Sequence, residues 1–254
     1  GIIHGKDNQI YQNAEEFYRA ENGHAIGYFW GYKTAGLFQN QKEINDWIAA
    51  GNGIYQADVK PGDVKYVDVN HDGVINASDK VDLGNGLPKY TFGFNVNLAW
   101  KGFDLSANFT GAAGFQIAQS YRDPSSSQAN YSRRILKRWT GEGTSNEIPR
   151  VTYGDVGNWL FSDLYLQDGD YIRLQNLTMG YDFKKLISWK GLSKMRLYFQ
   201  VQNLFTLTKY DGMDPEIGSF NGTDGNSSDS WVSGVDMGYY PHPRTFIVGL
   251  NLAF

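Results

Sequence analysis

Residues 244–254 alternate in character. Phe246, Val248, Leu250, Leu252 and Phe254 are large and apolar, whereas Thr245, Ile247, Gly249, Asn251 and Ala253 are mostly small or polar. Successive side chains of a strand point to opposite faces, so this spacing predicts a strand with one apolar wall and one wetter wall. The pattern recurs. Tyr90, Phe92, Phe94, Val96, Leu98 and Trp100 alternate with Thr91, Gly93, Asn95, Asn97 and Ala99, and Phe103, Leu105, Ala107 and Phe109 with Asp104, Ser106, Asn108 and Thr110. Leu177, Met179, Tyr181 and Phe183 form the apolar side of a strand beginning near Asp170. Met195, Leu197, Phe199, Val201, Phe205 and Leu207 lie opposite Arg196, Tyr198, Gln200, Gln202 and Thr206. Ile26, Tyr28, Trp30 and Tyr32 predict an earlier strand running to about Phe38. Strands of about ten residues suit a tilted membrane crossing and exceed the usual five or six of a soluble strand.

The connections divide into short and long. Little more than Lys101 and Gly102 joins two of the strands, and the turn over 184–194 is also fairly short. The stretches 39–89, 114–169 and 210–243 are far longer, polar and rich in Gly, Asn, Ser and Asp. Compact soluble domains rarely carry loops of that size, whereas outer-membrane barrels place long loops outside the cell and short turns in the periplasm. The three long stretches all fall on one side, the expected extracellular one. Within them, 42–50 and 132–139 each suit a short helix or helical turn, and 220–233 is the most loop-like run.

Composition is consistent with this picture. The chain of 254 residues has 41% hydrophobic residues and a mean hydropathy of −0.47. No stretch approaches the roughly 20 apolar residues of a membrane-spanning helix, a test that is blind to barrel strands. Thirty glycines, 17 tyrosines, 15 phenylalanines and 7 tryptophans supply turn-formers and amphipathic rings of the kind that gather at membrane interfaces, although aromatic-rich carbohydrate-binding sandwiches look similar. The absence of cysteine excludes disulfides and thiolate chemistry. A net charge of −4 without basic runs argues against nucleic acid as a partner. Neither an initiator Met nor a signal peptide opens the chain, and it is expected to be a piece that starts mid-protein and ends at a natural C-terminus.

The sharpest candidate for chemistry is the segment 68–79. Asp68, Asn70, Asp72 and Asp79 stand at positions 1, 3, 5 and 12 of a calcium-loop template, with the Val74 carbonyl at position 7 and Gly73 at the sharp turn. Ca2+ held by these five residues is one reading; an Asx-rich turn whose side chains bond backbone N–H groups is the other. His4, His24, His71 and His242 are scattered and point to surface or packing roles. Asp211, Asp214 and Glu216 share one loop, and solvated charges are expected there in preference to an acid/base pair. Tyr121, Tyr131, Trp139, Tyr153, Trp159 and Trp231 lie in the long connections, where aromatics serve a ligand, a partner protein or the folding of the loop itself. No nucleophile elbow or phosphate-binding glycine loop occurs, and the chain is not expected to be an enzyme.

With these residues laid out, the chain resembles the C-terminal third of the SusC/RagA family of TonB-dependent outer-membrane transporters. The segments that carry the resemblance are Gly31-Tyr-Lys-Thr-Ala-Gly-Leu-Phe38, Gly62-Asp-Val-Lys-Tyr-Val-Asp-Val-Asn-His-Asp-Gly73, Leu87-Pro-Lys-Tyr-Thr-Phe-Gly93 and Lys101-Gly-Phe-Asp-Leu-Ser106. Further along come Asp170-Tyr-Ile-Arg-Leu-Gln-Asn-Leu-Thr-Met-Gly-Tyr181, Gln202-Asn-Leu-Phe-Thr-Leu-Thr-Lys-Tyr210, Asp214-Pro-Glu216 and Tyr240-Pro-His-Pro-Arg-Thr-Phe246. The resemblance implies an all-β fold, the C-terminal strands of a 22-stranded antiparallel transmembrane β-barrel with long extracellular loops, in the outer membrane of a Gram-negative, Bacteroidota-like bacterium. It also implies a plug domain outside this chain, a SusD-like surface lipoprotein as lid, energy from TonB–ExbB–ExbD, and a glycan or peptide substrate. A terminal aromatic such as Phe254 is what barrel-assembly machinery engages, so the resemblance implies a part for it in insertion. Asn95, Asn97, Gln200, Gln202 and Asn251 are expected to face the lumen. A passive outer-membrane porin and a secreted calcium-binding β-sandwich adhesin are the alternatives.

Overall fold

The computed structural model describes residues 3–5, 17–119, 133–152, 157–187, 189–218, 233–236 and 238–254. Tyr121, Tyr131, Tyr153, Trp231 and nearly all of the loop-like run 220–233 lie outside the described residues. In chain order the strands are β1 (Ile3–Gly5), β2 (Tyr18–Ala20), β3 (Tyr28–Tyr32), β4 (Thr34–Leu37), β5 (Val64–Tyr66), β6 (Lys80–Asn85), β7 (Tyr90–Trp100), β8 (Phe103–Ala113), β9 (Gln116–Gln119), β10 (Leu166–Asp168), β11 (Tyr171–Asp182), β12 (Lys194–Thr208), β13 (Val235–Asp236) and β14 (Thr245–Ala253). The α-helix among the described residues is α1 (Gln41–Ala49). Contacts divide the chain into two compact units, one of Gly1–Leu87, Gln116–Gln167 and Ile217–Gly238, the other of Pro88–Phe115, Asp168–Glu216 and Tyr239–Phe254.

The second unit is one five-stranded antiparallel sheet in the order β14, β12, β11, β8, β7. Its register is what the alternation demands, because a one-residue slip would turn every apolar side chain to the wrong face. Leu98, Leu105, Met179, Phe199 and Val248 form one row across all the strands, and Val96, Ala107, Leu177, Val201 and Phe246 form the next. Between them runs a polar row of Asn97, Ser106, Thr178 and Gln200. Paired rings reinforce the apolar rows: Phe94 stacks on Phe109 at 4.5 Å, and Phe199 on Phe246 at 6.2 Å.

The register shifts once. Leu174 pairs with Phe109 but Asn176 with Asn108, so Gln175 is an extra residue of β11. On the other side Leu174 pairs with Phe205 but Asn176 with Gln202, and β12 absorbs its own extra residue at Asn203, whose φ is +52°. The bulge reverses the parity of β11. Leu174 and Ile172 therefore continue the apolar side begun by Leu177, and Arg173 turns to the polar side beside Thr110 and Thr206.

The first unit has its own two cores. Phe17, Tyr18, Phe29, Phe161, Ala118 and Val235 form one, with Phe17 edge-on to Tyr18 at 4.6 Å and to Phe161 at 5.4 Å. Tyr32, Leu37, Val64, Tyr66, Ile75 and Leu160 form the other. Burying each large side chain contributes roughly 2 to 3 kcal/mol, which lets connections this long hold a fixed shape. Helix α1 forms where 42–50 predicted one. The Asn40 side chain caps the Glu43 N–H at 2.9 Å, and Glu43 reaches back to the Gln39 N–H at 2.6 Å. Over 132–139 the helical turn forms as a 3-10 turn at Arg133–Lys137.

The single long strand expected from Ile26 to Phe38 is not formed. Ile26 is exposed outside any strand, and β3 and β4 are separate strands broken at Lys33 and paired in different sheets. Strand β3 is covered on both faces, because Phe161 closes over Gly31, where a Cβ would stand 2.6 Å from the Phe161 carbonyl oxygen. The Tyr32 N–H donates to that same carbonyl at 3.0 Å. Aromatic alternation here serves a packed core in place of a lipid face.

Candidate functional site

The sheet of the second unit presents two walls of opposite chemistry. On one, Leu98, Phe94, Phe246, Val248 and Leu250 remain open to the surroundings, a continuous apolar surface that no element of this sheet covers. On the other, Asn95, Asn108, Asn176, Gln202 and Thr245 run straight across the strands. Asn95, Asn97, Gln200 and Gln202 thus share one face, as the alternation predicts, and Asn251 joins them opposite Arg196.

Small residues let long side chains lie along the polar wall. Arg196 passes over Gly180 and forks onto Asp104 two strands away, Nε to Oδ1 at 2.8 Å and Nη2 to Oδ2 at 2.5 Å. A Cβ at position 180 would stand 2.6 Å from the Arg196 Nε, so glycine there keeps the path clear. One strand further, the Tyr198 ring lies over Gly249.

At the far end of the same wall sits a cluster that the sequence reading placed in solvent. Arg173 is 3% exposed. It donates Nε to the Thr206 hydroxyl at 3.0 Å, Nη1 to Glu216 at 2.8 Å, and Nη2 to Asp214. Asp214 is itself buried and accepts the backbone N–H groups of Glu216 at 2.9 Å and His242 at 3.2 Å. Asp214 is therefore no solvated loop charge; it ties the connection that follows β12 to the sheet. Glu216 is half exposed and shares the same guanidinium. The missed signal was the phase change from Leu174 to Leu177, which puts Arg173 on the polar side.

The 68–79 loop closes on itself. Asp68 accepts the N–H groups of Gly73 at 2.7 Å and Asp72 at 3.3 Å, Asn70 accepts Asp72 N–H at 3.0 Å, and Asp72 accepts Val74 N–H at 2.9 Å. Asp79, fully buried, accepts the N–H groups of Val69 at 2.9 Å and Asn76 at 2.8 Å. Gly73 adopts φ +82° and His71 φ +60°, the left-handed backbone that the turn requires. Burial acts against ionising Asp68, but the N–H groups of Gly73, His71 and Asp72 outweigh it and hold the carboxyl below the usual range. Among the described residues no three His, Asp or Glu side chains converge as a ligand set. The loop brings Asp68, Asn70, Asp72, Val74 and Asp79 together in chain order while spending their oxygens on N–H groups.

His24 and Trp139 resolve into packing. His24 stacks on Tyr28 at 4.7 Å and bonds Asp82 at 2.9 Å. The Tyr28 phenol, pushed up to about 12 by burial and by its 2.5 Å bond to Glu21, stays neutral. Trp139 packs over Gly62 and donates to Gln39 at 3.3 Å, so it ties the 114–169 connection to the 39–89 connection.

No family model matches the chain. Relatives do. Over 234 residues it is 34% identical to TonB-dependent receptor P3 of Formosa agariphila, covering 91% of this chain and 22% of that receptor. Over 255 residues it is 27% identical to TonB-dependent receptor SusC of Bacteroides thetaiotaomicron, covering 98% of this chain and 22% of SusC. The RagAB peptide importer in its open-open state superposes with a TM-score of 0.63 over 96% of this chain and 24% of that one, at 19% identity. The chain belongs to the SusC/RagA-type TonB-dependent receptors. It spans less than a quarter of the length of the P3 and SusC receptors that it matches. In a SusC/RagA-type barrel wall the two faces have distinct solvents: the apolar rows meet lipid and the polar rows meet the lumen. Arg196, Asp104 and Arg173 lie on the face that carries the polar rows.

Proposed function

We propose that this chain is part of the barrel of a TonB-dependent, SusC-like importer in the outer membrane of a Bacteroidota-like bacterium. In this reading a SusD-like surface lipoprotein closes the barrel from outside, TonB–ExbB–ExbD supplies the energy through a plug outside this chain, and the cargo is an oligosaccharide or a peptide. The observation that carries it is the in-register wall, apolar on one face and, apart from residues such as Ile247, polar or small on the other. The outer edges of β7 and β14 have no partner strand among the described residues. Unpaired backbone is costly in lipid, so the reading requires further barrel strands on both sides. The segments 39–89, 114–169 and 210–243 are assigned to the extracellular side, where they contribute to the cargo chamber and the lid contact. Transport then consists of selective binding and gated passage, with no bond made or broken in the cargo.

The test uses the whole receptor in its host. Deleting the receptor gene should abolish growth on one glycan or peptide source, an affinity-tagged receptor should bring down a surface lipoprotein, and collapsing the proton gradient should stop uptake. Uptake that continues without the gradient, from a receptor that purifies alone, identifies a passive porin and overturns the proposal. For the 68–79 loop we propose Ca2+ as a stiffening ligand, supported by the order of its oxygen-bearing residues and by Gly73.

A further inference from the structure

The short-turn end of the sheet differs chemically from the rest of the molecule. Trp100 and Phe103 flank the turn made by Lys101 and Gly102, the Phe103 and Tyr181 rings meet at 4.3 Å, and Trp189 lies edge-on to Phe254 at 6.0 Å. The turn between β11 and β12 then exposes what a turn in water would hide: Leu186 is 68% and Trp189 59% exposed. Cations are set among these groups. The Lys101 ammonium stands 4.8 Å from the centre of the Trp100 ring, Lys184 donates to the Trp189 carbonyl at 2.7 Å, and Lys190 follows directly.

Among the described residues none of these lysines is in ion-pair contact with a carboxylate. Asp104 is paired with Arg196, and Asp182, the one acid left at this end among the described residues, accepts the N–H groups of Lys184 at 3.0 Å and Met195 at 3.3 Å and is outnumbered by the three lysines. Exposed aliphatic and indole surface, continuous with the lipid-facing rows and edged by these ammonium groups, matches one kind of partner. That partner is a leaflet whose acyl chains take the apolar groups while its phosphates take the charges. We infer that this end is a docking surface for anionic glycerophospholipid headgroups, with Leu186 and Trp189 among the acyl chains and Lys101, Lys184 and Lys190 at the phosphates. The inference rests on the outer-membrane reading above and adds that the short-turn leaflet is read by its charge.

The experiment takes the full receptor in nanodiscs of phosphatidylcholine with or without phosphatidylglycerol and measures which lipid stays bound, by native mass spectrometry. The receptor should retain phosphatidylglycerol preferentially, and each lysine removed should weaken that preference by roughly fivefold. The variants are Lys184→Gln, Lys190→Gln and Lys101→Asn, the last because position 101 has φ +48° and asparagine tolerates that backbone. Should the combined variant fail to fold, a salt series on the unaltered receptor decides. At 1 M salt the screening length is about 3 Å, and the preference should vanish. Equal retention of both lipids, or a preference that survives the lysine substitutions or high salt, overturns the inference. A receptor that stays soluble and never enters the discs would instead refute the outer-membrane reading.

Discussion

Single residues in this chain are decided by what faces them. Arg173 carries the largest local stake, because its guanidinium and the Asp214 carboxylate are both withdrawn from water. Removing one member of such a pair leaves the other charged and unsolvated, at a cost of about 3 to 5 kcal/mol. Arg173→Met should therefore lower the urea midpoint of the folded receptor clearly, whereas Lys209→Gln, at a side chain 87% exposed and 4.0 Å from Asp168, should leave it nearly unchanged. Equal effects of the two substitutions would return Asp214 to the solvated charges. The 68–79 loop gives a second prediction. Asp68 is held below the usual carboxylate range in the folded loop, so its contribution is complete above the unfolded value of about 4 and is lost as pH falls through the lower folded value. Amide-exchange protection at Asp72 and Gly73 should accordingly fade in acid, and Asp68→Asn should remove that pH dependence. Millimolar Ca2+ raising the protection at neutral pH would support the calcium proposal; protection indifferent to Ca2+ would leave the loop a self-bonded Asx turn.

At the scale of elements, the strands β7, β8, β11, β12 and β14 were legible because each must alternate for its whole length to hold lipid on one side. What alternation alone did not reveal was the bulge. Gln175 reverses the parity of β11, so counting back from Leu177 in twos places Arg173 on the apolar wall, where the structure does not put it. The extended Ile26 to Phe38 strand failed for the opposite reason. Tyr28, Trp30 and Tyr32 alternate, but Phe161, far along the chain, supplies the cover that makes their sheet a core. Alternation shows which side chains share a face, but not what lies against that face. The 68–79 segment shows the same limit: the template places oxygens correctly, and only the fold shows which N–H groups claim them. The bulge itself is testable. Asn203 holds φ +52° and its side chain donates to the Pro243 carbonyl at 3.1 Å. Asn203→Val should cost roughly 1 to 2 kcal/mol through left-handed strain, while Asn203→Gly should cost less. Denaturant midpoints of the two variants check this, and valine tolerated as well as glycine would contradict the assigned bulge.

For the molecule as a whole, the central claim is that one sheet separates two solvents. In the proposed reading Phe94, Val96 and Leu98 face lipid, and Asn95 and Asn97, on the opposite side of β7, face the lumen. The chain has no cysteine of its own, so single cysteines here can be labelled without interference from this segment. The most direct measurement is a spin-label scan through residues 94–98 of the full receptor in a bilayer. It compares collision rates with oxygen, which concentrates in lipid, against those with a water-soluble nickel chelate. Labels at Phe94→Cys, Val96→Cys and Leu98→Cys should favour oxygen and those at Asn95→Cys and Asn97→Cys the chelate, alternating with a period of two. Chelate access at all five positions, or alternation in the opposite phase, would contradict the account.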